Sequence, residues 1–231
     1  AATVDFSLDV REGHIHALIG PNGAGKTTLV NQLSGDILPD AGSIRFGGTD
    51  ITRLKPHARA CLGLARSYQI TSVFEHLSVA ENLALAILAG NRHNFRFWRR
   101  ALNARRVRKL LPEALARFDL EDSAHRPAGQ LSHGEKRQLD VGMTLVGRPR
   151  LLILDEPMAG LGPGGTVELS KLIRGLKGQL TILLVEHDMK VVFSLADMIT
   201  VLVNGQNVAT GTPDEIRAND LVRSAYLGEE G

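Results

Sequence analysis

HIHALIGPNGAGKTTLVNQLSG, residues 14–35, is the stretch on which the fold turns. The apolar run 14–19 predicts a strand, 20–25 a tight glycine-rich loop, and 26–34 a helix that stops at Gly35. Glycine, four residues, glycine, lysine and threonine over 20–27 is the spacing that cradles phosphates. Gly20, Gly23 and Gly25 let the loop they form with Pro21, Asn22 and Ala24 wrap closely, so that backbone N–H groups converge on an anion. The helix adds further donors and its positive end. Lys26 is expected to reach the outer phosphates, the Thr27 hydroxyl to ligate Mg²⁺, and Thr28 to donate to a phosphate.

Working outward, VDFSLDV (4–10) alternates like a half-buried strand and Arg11-Glu12-Gly13 reads as a turn. PDAGSIRFGGTD predicts a turn, a short strand and another turn, and Leu64–Tyr68 a strand entering a loop. From about Ser78 to Arg126 the pattern turns helical, with Val107, Leu110, Leu111, Ala114, Leu115 and Phe118 on one stripe and Pro112 placed to kink it. LLILDE (151–156) and 181–185 suit strands buried on both faces. Two more strands, 199–204 and 207–211, flank an Asn204-Gly205 turn. Thr212, Pro213 and Glu215 then open a helix. The expected architecture is an α/β core with a helical lobe inserted in it.

Two other motifs carry chemistry. In LLILDEP, an acid ending a buried strand stands where a cation bound to phosphate sits, so Asp155 is expected to hold the metal, directly or through water. Glu156 is the candidate general base for water. In LSHGEKRQLD (131–140), Ser132 and Glu135 have capping-box spacing, and Leu139, Gly142, Met143 and Val146 follow as an apolar stripe. That helix start, with the Ser132 hydroxyl and the Gly134 N–H, can also bind a phosphate.

Composition excludes some classes. With 27 Lys and Arg against 25 Asp and Glu, the formal charge of +2 gives no ground for a nucleic-acid partner. The one cysteine, Cys61, cannot make an internal disulfide, and a reducing interior setting fits. No apolar run reaches the length of a membrane span, and the first residues do not read as a signal peptide. Service to a membrane is therefore expected from one side, through a partner.

The motifs together resemble those of ABC transporter ATPases over essentially the whole chain. The phosphate loop is 20–27, the glutamine loop is matched by Gln69, the signature by LSHGE (131–135), the magnesium strand by LLILDE and the switch histidine by His187. The resemblance implies a single domain, 1–231: a P-loop NTPase core with an N-terminal antiparallel β-subdomain (1–69 and 127–231) and an inserted α-helical subdomain (70–126). It implies ATP and Mg²⁺ as ligands and a second ATPase subunit, identical or different, paired head to tail. Ser132 and Gly134, with Glu135 in the place of a glutamine, would then meet the γ-phosphate held by the partner. His187 would contact the γ-phosphate in cis, and Gln69 would sense Mg²⁺ and water. Transmembrane permease subunits and, indirectly, a solute-binding protein complete the implied assembly, on the cytoplasmic face of a bacterial inner membrane.

Within the family, GLARSYQITSVFEHLSVAENL, LLILDEPMAGLGP, VEHDMKVVFSLADMITVLVNGQNVATGTPDEI and VRSAYLG are most similar to branched-chain amino acid importer ATPases. Importers of urea, amides or other small solutes are the alternative, and a non-transport ATPase or a weakly hydrolytic regulatory subunit is a further one. The chain departs from the pattern at three places. His133 replaces the first signature glycine, and Gly162 stands where an aspartate or asparagine is usual. The aromatic residue that stacks on adenine falls upstream of Ala1, as in a truncated start, and Phe6, the nearest aromatic, reads as core-facing. Eight basic residues between Arg92 and Lys109, among Phe95, Phe97 and Trp98, fit a solvated helix face, a membrane or permease contact, or a nucleic-acid contact.

Overall fold

Ile15–Ile19 forms β1, five residues buried throughout. The computed structural model describes residues 3–67, 73–89 and 104–223. An uninterrupted apolar run needs cover on both faces, and β1 lies parallel between β6 (Thr181–Val185) and β7 (Met198–Val203) in the middle of a sheet. β5 (Leu151–Asp155) pairs parallel with β6, and β8 (Gln206–Gly211) returns antiparallel to β7. With β4 (Leu64–Ser67) the order is β4-β5-β6-β1-β7-β8. The β7–β8 turn is Asn204-Gly205, both at positive φ (50° and 79°), as the dipeptide predicts.

Neighbouring residues of β1 point to opposite faces. Leu18 joins Leu29 and Val30 of α1 (Lys26–Ser34) in one apolar cluster. Ile19 joins Val192, Ile216 and Val222, from α7 (Met189–Leu195), α8 (Pro213–Ala218) and α9 (Asp220–Val222), in another. The chain divides into two compact units, and this sheet belongs to the first, drawn from Ala1–Arg66, Arg150–Pro157 and Ile173–Gly231. The hairpin β2 (Arg45–Phe46) and β3 (Thr49–Asp50), followed by α2 (Pro56–Cys61), completes it.

The strand expected at 4–10 is absent. Phe6, Leu8 and Val10 are half-buried against the core while Asp5, Ser7 and Asp9 are exposed, so the alternation does set which side chains turn inward. A strand also needs a partner edge. Val4 N–H donates to Gly205 O, but no ladder follows, and a cavity of about 950 Å³ lined by Phe6, Leu8, Ile44 and Phe46 among others lies alongside.

The second unit, Ser67–Pro149 and Met158–Leu172, is helical and wider than the 70–126 expected. It holds α3 (Val79–Ala89), α4 (Arg105–Arg117), α5 (His133–Leu145) and the first turns of α6 (Pro163–Gly175). α3 packs on both α4 and α5, which draws the signature helix into this unit. Val107, Leu110 and Leu111 cluster with Ala84, Ile87 and Val146. α4 continues through Pro112 to Arg117. Gly142 of α5 lies against Phe118, whose Cδ2 would be 2.8 Å from an added Cβ. No described helix is long and apolar enough to cross a membrane.

Inside the sheet, His16 is 1% exposed and hydrogen-bonded through Nε2 to Thr200 Oγ1 at 2.8 Å. Burial lowers its pKa to about 4, with Asp9 opposing and His14 assisting. The folded state thus holds a neutral imidazole that the unfolded chain protonates near 6.5. The resulting stability is complete above pH 6.5 and is lost as pH falls towards 4, on the order of 3 kcal/mol in all. Urea midpoints of the wild type and His16→Gln at pH 7 and 4.5 check this. The variant should show the shallower decline, and equal declines would remove His16 as a cause.

Candidate functional site

In the first unit, β5, β6 and β1 are adjacent and parallel, so they end at one edge of the sheet. Each end carries a polar group: Asp155-Glu156 after β5, Glu186-His187 after β6, and the loop 20–25 after β1. Parallel pairing thereby gathers residues distant in sequence, at the edge where open α/β sheets bind ligands.

The loop is fixed from behind. A Cβ on Gly20 would lie 2.0 Å from the backbone oxygen of Leu202, so only glycine lets the loop approach β7 this closely. The Gly205 N–H donates to Ala24 O at 2.9 Å. Gly25, at φ 106°, caps α1 without any side-chain hydrogen bond, and the first turn has no acidic residue. By contrast α5, α7 and α8 are capped by Ser132, Asp188 and Thr212. The start of α1 therefore keeps the uncapped N–H groups that an anion requires.

Lys26 is 8% exposed, and its Nζ donates to Gly20 O at 2.6 Å and Pro21 O at 3.0 Å. Burial draws its pKa below the ordinary lysine value, while Glu156 and Asp155 act to keep it charged. Thr27 is exposed and Thr28 half-buried. Asp155 is buried, and its Oδ2 accepts from Arg66 Nη2 at 3.0 Å. Glu156 is half-buried and has a left-handed backbone (φ 47°), its N–H donating to Val185 O. A non-glycine residue there stores about 1–3 kcal/mol of strain, as residues of working sites often do. The His187 side chain is 63% exposed, with Nδ1 3.9 Å from Oε2 of the buried Glu186. Asp188 next to it caps α7, accepting from Lys190 and Val191 N–H, so His187 is pinned between a strand end and a capped helix.

Among the described residues no three His, Cys, Asp or Glu side chains form a metal cluster. The groups that could hold a cation beside the loop are Asp155 and the Thr27 hydroxyl, together with phosphate oxygens and water. That donor set fits Mg²⁺, which keeps several waters and leans on substrate phosphates.

In the second unit the capping box forms as expected: Glu135 N–H donates to Ser132 Oγ, and Ser132 N–H to Glu135 Oε2. Ser123 Oγ and Arg126 Nη1 both donate to Glu135 Oε1. The Ser132 N–H above all, then the Ser132 and Ser123 hydroxyls and Arg126, hold this carboxylate below its usual range against burial. Ser132 and His133 are exposed and Gly134 half-buried. Gly162 is exposed, with open space where a Cβ would be.

Gln69, the basic and aromatic residues 92–103 and the ending 224–231 lie outside the described residues. Sequence reasoning missed Arg66, Arg126 and Glu186. Arg66 meets Asp155 across 89 positions, a separation no local pattern reports. Arg126 lies nine positions from Glu135, outside capping-box spacing. Glu186, beside the candidate histidine, could have been noticed as an acid ending a buried strand, like Asp155.

Residues 4–159 match the ABC transporter family, and 206–231 match a family described as branched-chain amino acid ATP-binding cassette transporter. The high-affinity branched-chain amino acid transport ATP-binding protein BraF of Pseudomonas aeruginosa is 40% identical over 233 residues, spanning 96% of this chain and 90% of that protein. The corresponding protein LivG of Escherichia coli is 38% identical over 237 residues, spanning 99% and 92%. Among solved structures, the ADP conformation of MJ1267, an ATP-binding cassette of an ABC transporter, matches with a TM-score of 0.84 at 28% identity, covering 99% of this chain and 93% of that one. With the loop, the acid pair and the capped signature helix all in place, the chain belongs to the ABC transporter family as one of its ATP-binding subunits.

Proposed function

We propose that the chain hydrolyses ATP as one half of a head-to-tail ATPase pair and powers import of branched-chain or other hydrophobic amino acids. The observation that carries the first part is the gathering of the phosphate loop, Asp155-Glu156 and His187 at one sheet edge. Lys26 and the N–H groups at the start of α1 hold the phosphates. Asp155, Thr27 and Gln69 hold Mg²⁺, which when bound supplies charge for the leaving phosphate oxygens. Glu156 takes the proton from water, and His187 steadies the γ-phosphate and that water. Ser132 and Gly134 of the partner close over the γ-phosphate, with Glu135 holding Ser132 in place. If the pair is formed by two copies and dissociates over the range tested, the steady-state rate rises more steeply than linearly with protein concentration; a linear rise from a chain that light scattering shows to be monomeric with ATP would exclude that pairing. Permease subunits in the bacterial inner membrane, fed by a solute-binding protein, would receive the motion on their cytoplasmic side.

The cargo rests on the match over 206–231 and on similarity to BraF and LivG. Co-expression with the permease subunits of a branched-chain amino acid importer, in cells lacking their own leucine uptake, tests it. Labelled leucine should accumulate and labelled urea should not; the reverse would move the chain to the small-solute importers.

Gly162 offers a further check. An aspartate there enters open space, with Gly162 O already accepting from Thr166 N–H at the start of α6. Gly162→Asp restores a polar group of the kind usual at this position and should raise turnover about two- to tenfold, the value of one net hydrogen bond. An unchanged rate would mean that the pair works without that contact.

A further inference from the structure

Arg66, the last residue of the first unit before the chain enters the glutamine loop, lies in the middle of a polar cluster that reaches from the buried Asp155 to the exposed Asp36. Its side chain is 9% exposed. Nη1 donates to Asn31 Oδ1 at 2.7 Å, Ser34 Oγ at 3.1 Å and Asp36 Oδ2 at 3.2 Å, all at the end of α1. Nη2 donates to Asp155 Oδ2 at 3.0 Å, at the end of β5. We propose that Arg66 is a positioning residue for the metal site, fixing the Asp155 carboxylate from the end of α1 so that its other oxygen meets the cation. This rests on the reading of Asp155 as the metal holder.

Three observations carry it. The guanidinium is a rigid planar fork, so anchoring one end on α1 fixes where the other end holds Asp155. A lysine ammonium, as a point charge, cannot span both. Charge is the second. A cation 3.0 Å from a metal ligand would by itself oppose Mg²⁺. Asp36 also pairs with Arg66, at 3.2 Å, so one carboxylate offsets the guanidinium and that of Asp155 remains for the metal. Burial is the third. Solvent hardly reaches either Arg66 or Asp155, at 9% and 8% side-chain exposure, so the orientation is not averaged away by water. Carboxylates that bind metals are held by such hydrogen bonds, and removing the holder costs about 10- to 100-fold in metal affinity.

The test uses the full chain with a non-hydrolysable ATP analogue and Mn²⁺ as the spectroscopic probe. Arg66→Gln should bind Mn²⁺ about 10- to 100-fold more weakly, with nucleotide affinity in EDTA within about twofold of wild type. Arg66→Lys should fall between the two. Asp155→Asn is the control. If it binds Mn²⁺ like wild type, the reading of Asp155 is wrong and the inference falls with it. If Asp155→Asn loses Mn²⁺ while Arg66→Gln keeps wild-type or tighter affinity, Arg66 is a clamp or a competing counter-ion and the inference is overturned. Should Arg66→Gln fail to fold, Asn31→Ala loosens Arg66 from its far side. A smaller loss of Mn²⁺ affinity is then expected, and none would overturn the proposal.

Discussion

Glu156→Gln should bind ATP and turn it over at least about 100-fold more slowly than wild type, a rise of about 2.7 kcal/mol in the barrier. The substitution keeps size and shape. The backbone at φ 47° and the N–H bond to Val185 O do not depend on the side-chain oxygen that is lost, so the local fold should survive. What disappears is the basic oxygen that accepts a proton from water. Lys26 also loses one of the two carboxylates that keep it charged, but Asp155 remains. The phosphate loop should therefore still bind nucleotide, and the variant should accumulate as an ATP-bound dimer by light scattering. Turnover within a fewfold of wild type would remove Glu156 as the base. Loss of binding along with rate would mean that the carboxylate serves the loop rather than the chemistry.

Arg59→Met should cost about 3–5 kcal/mol of stability, a large share of the 5–15 kcal/mol typical of a domain. Arg59 is fully buried on α2, and its guanidinium donates to the carbonyls of Leu54, Thr52, Gln32 and Leu33. The last two belong to the final turn of α1, where no intrahelical N–H can reach them. A methionine fills part of the volume and leaves those oxygens in a dry site, each at about 1–3 kcal/mol before relaxation. Gly35 shares the constraint, since a Cβ there would sit 2.8 Å from Arg59 Nε. Urea unfolding of the purified variant checks it. A midpoint within error of wild type would show that water replaces the guanidinium at little cost.

Local chemistry explains what could be read from the chain. Ser132 with Glu135, Thr212 with Glu215, and Asn204-Gly205 each specify their own geometry within a few residues, and each forms as read. The buried runs 151–155 and 181–185 needed only their composition. The misses are non-local. Residues 4–10 have the alternation of a strand, but pairing depends on an edge the segment does not carry itself. The helical unit reaches 149 and takes in 158–172 because α5 packs on α3, a contact no composition shift marks. Arg59 and Arg66 carry no local signal, since the carbonyls and carboxylates they bind lie up to 89 positions away. At the candidate site the motifs named the candidates, while a neighbour such as Arg66 beside Asp155 came only with the fold.

The place of β1 between β6 and β7 sets a timetable for the chain as it is made. Its pairing partners are residues 182–185 and 198–201, near the end of the sequence. At about 5–20 residues per second, translation delivers them on the order of 10–30 s after β1 itself. Through that interval the apolar strand has two open edges and nothing to close them, a state in which a chain invites aggregation or a chaperone. The turn that braces the phosphate loop through Gly205 and Ala24 arrives later still. A ribosome stalled before residue 181 would hold every residue of that loop and neither of the strands that pair with β1.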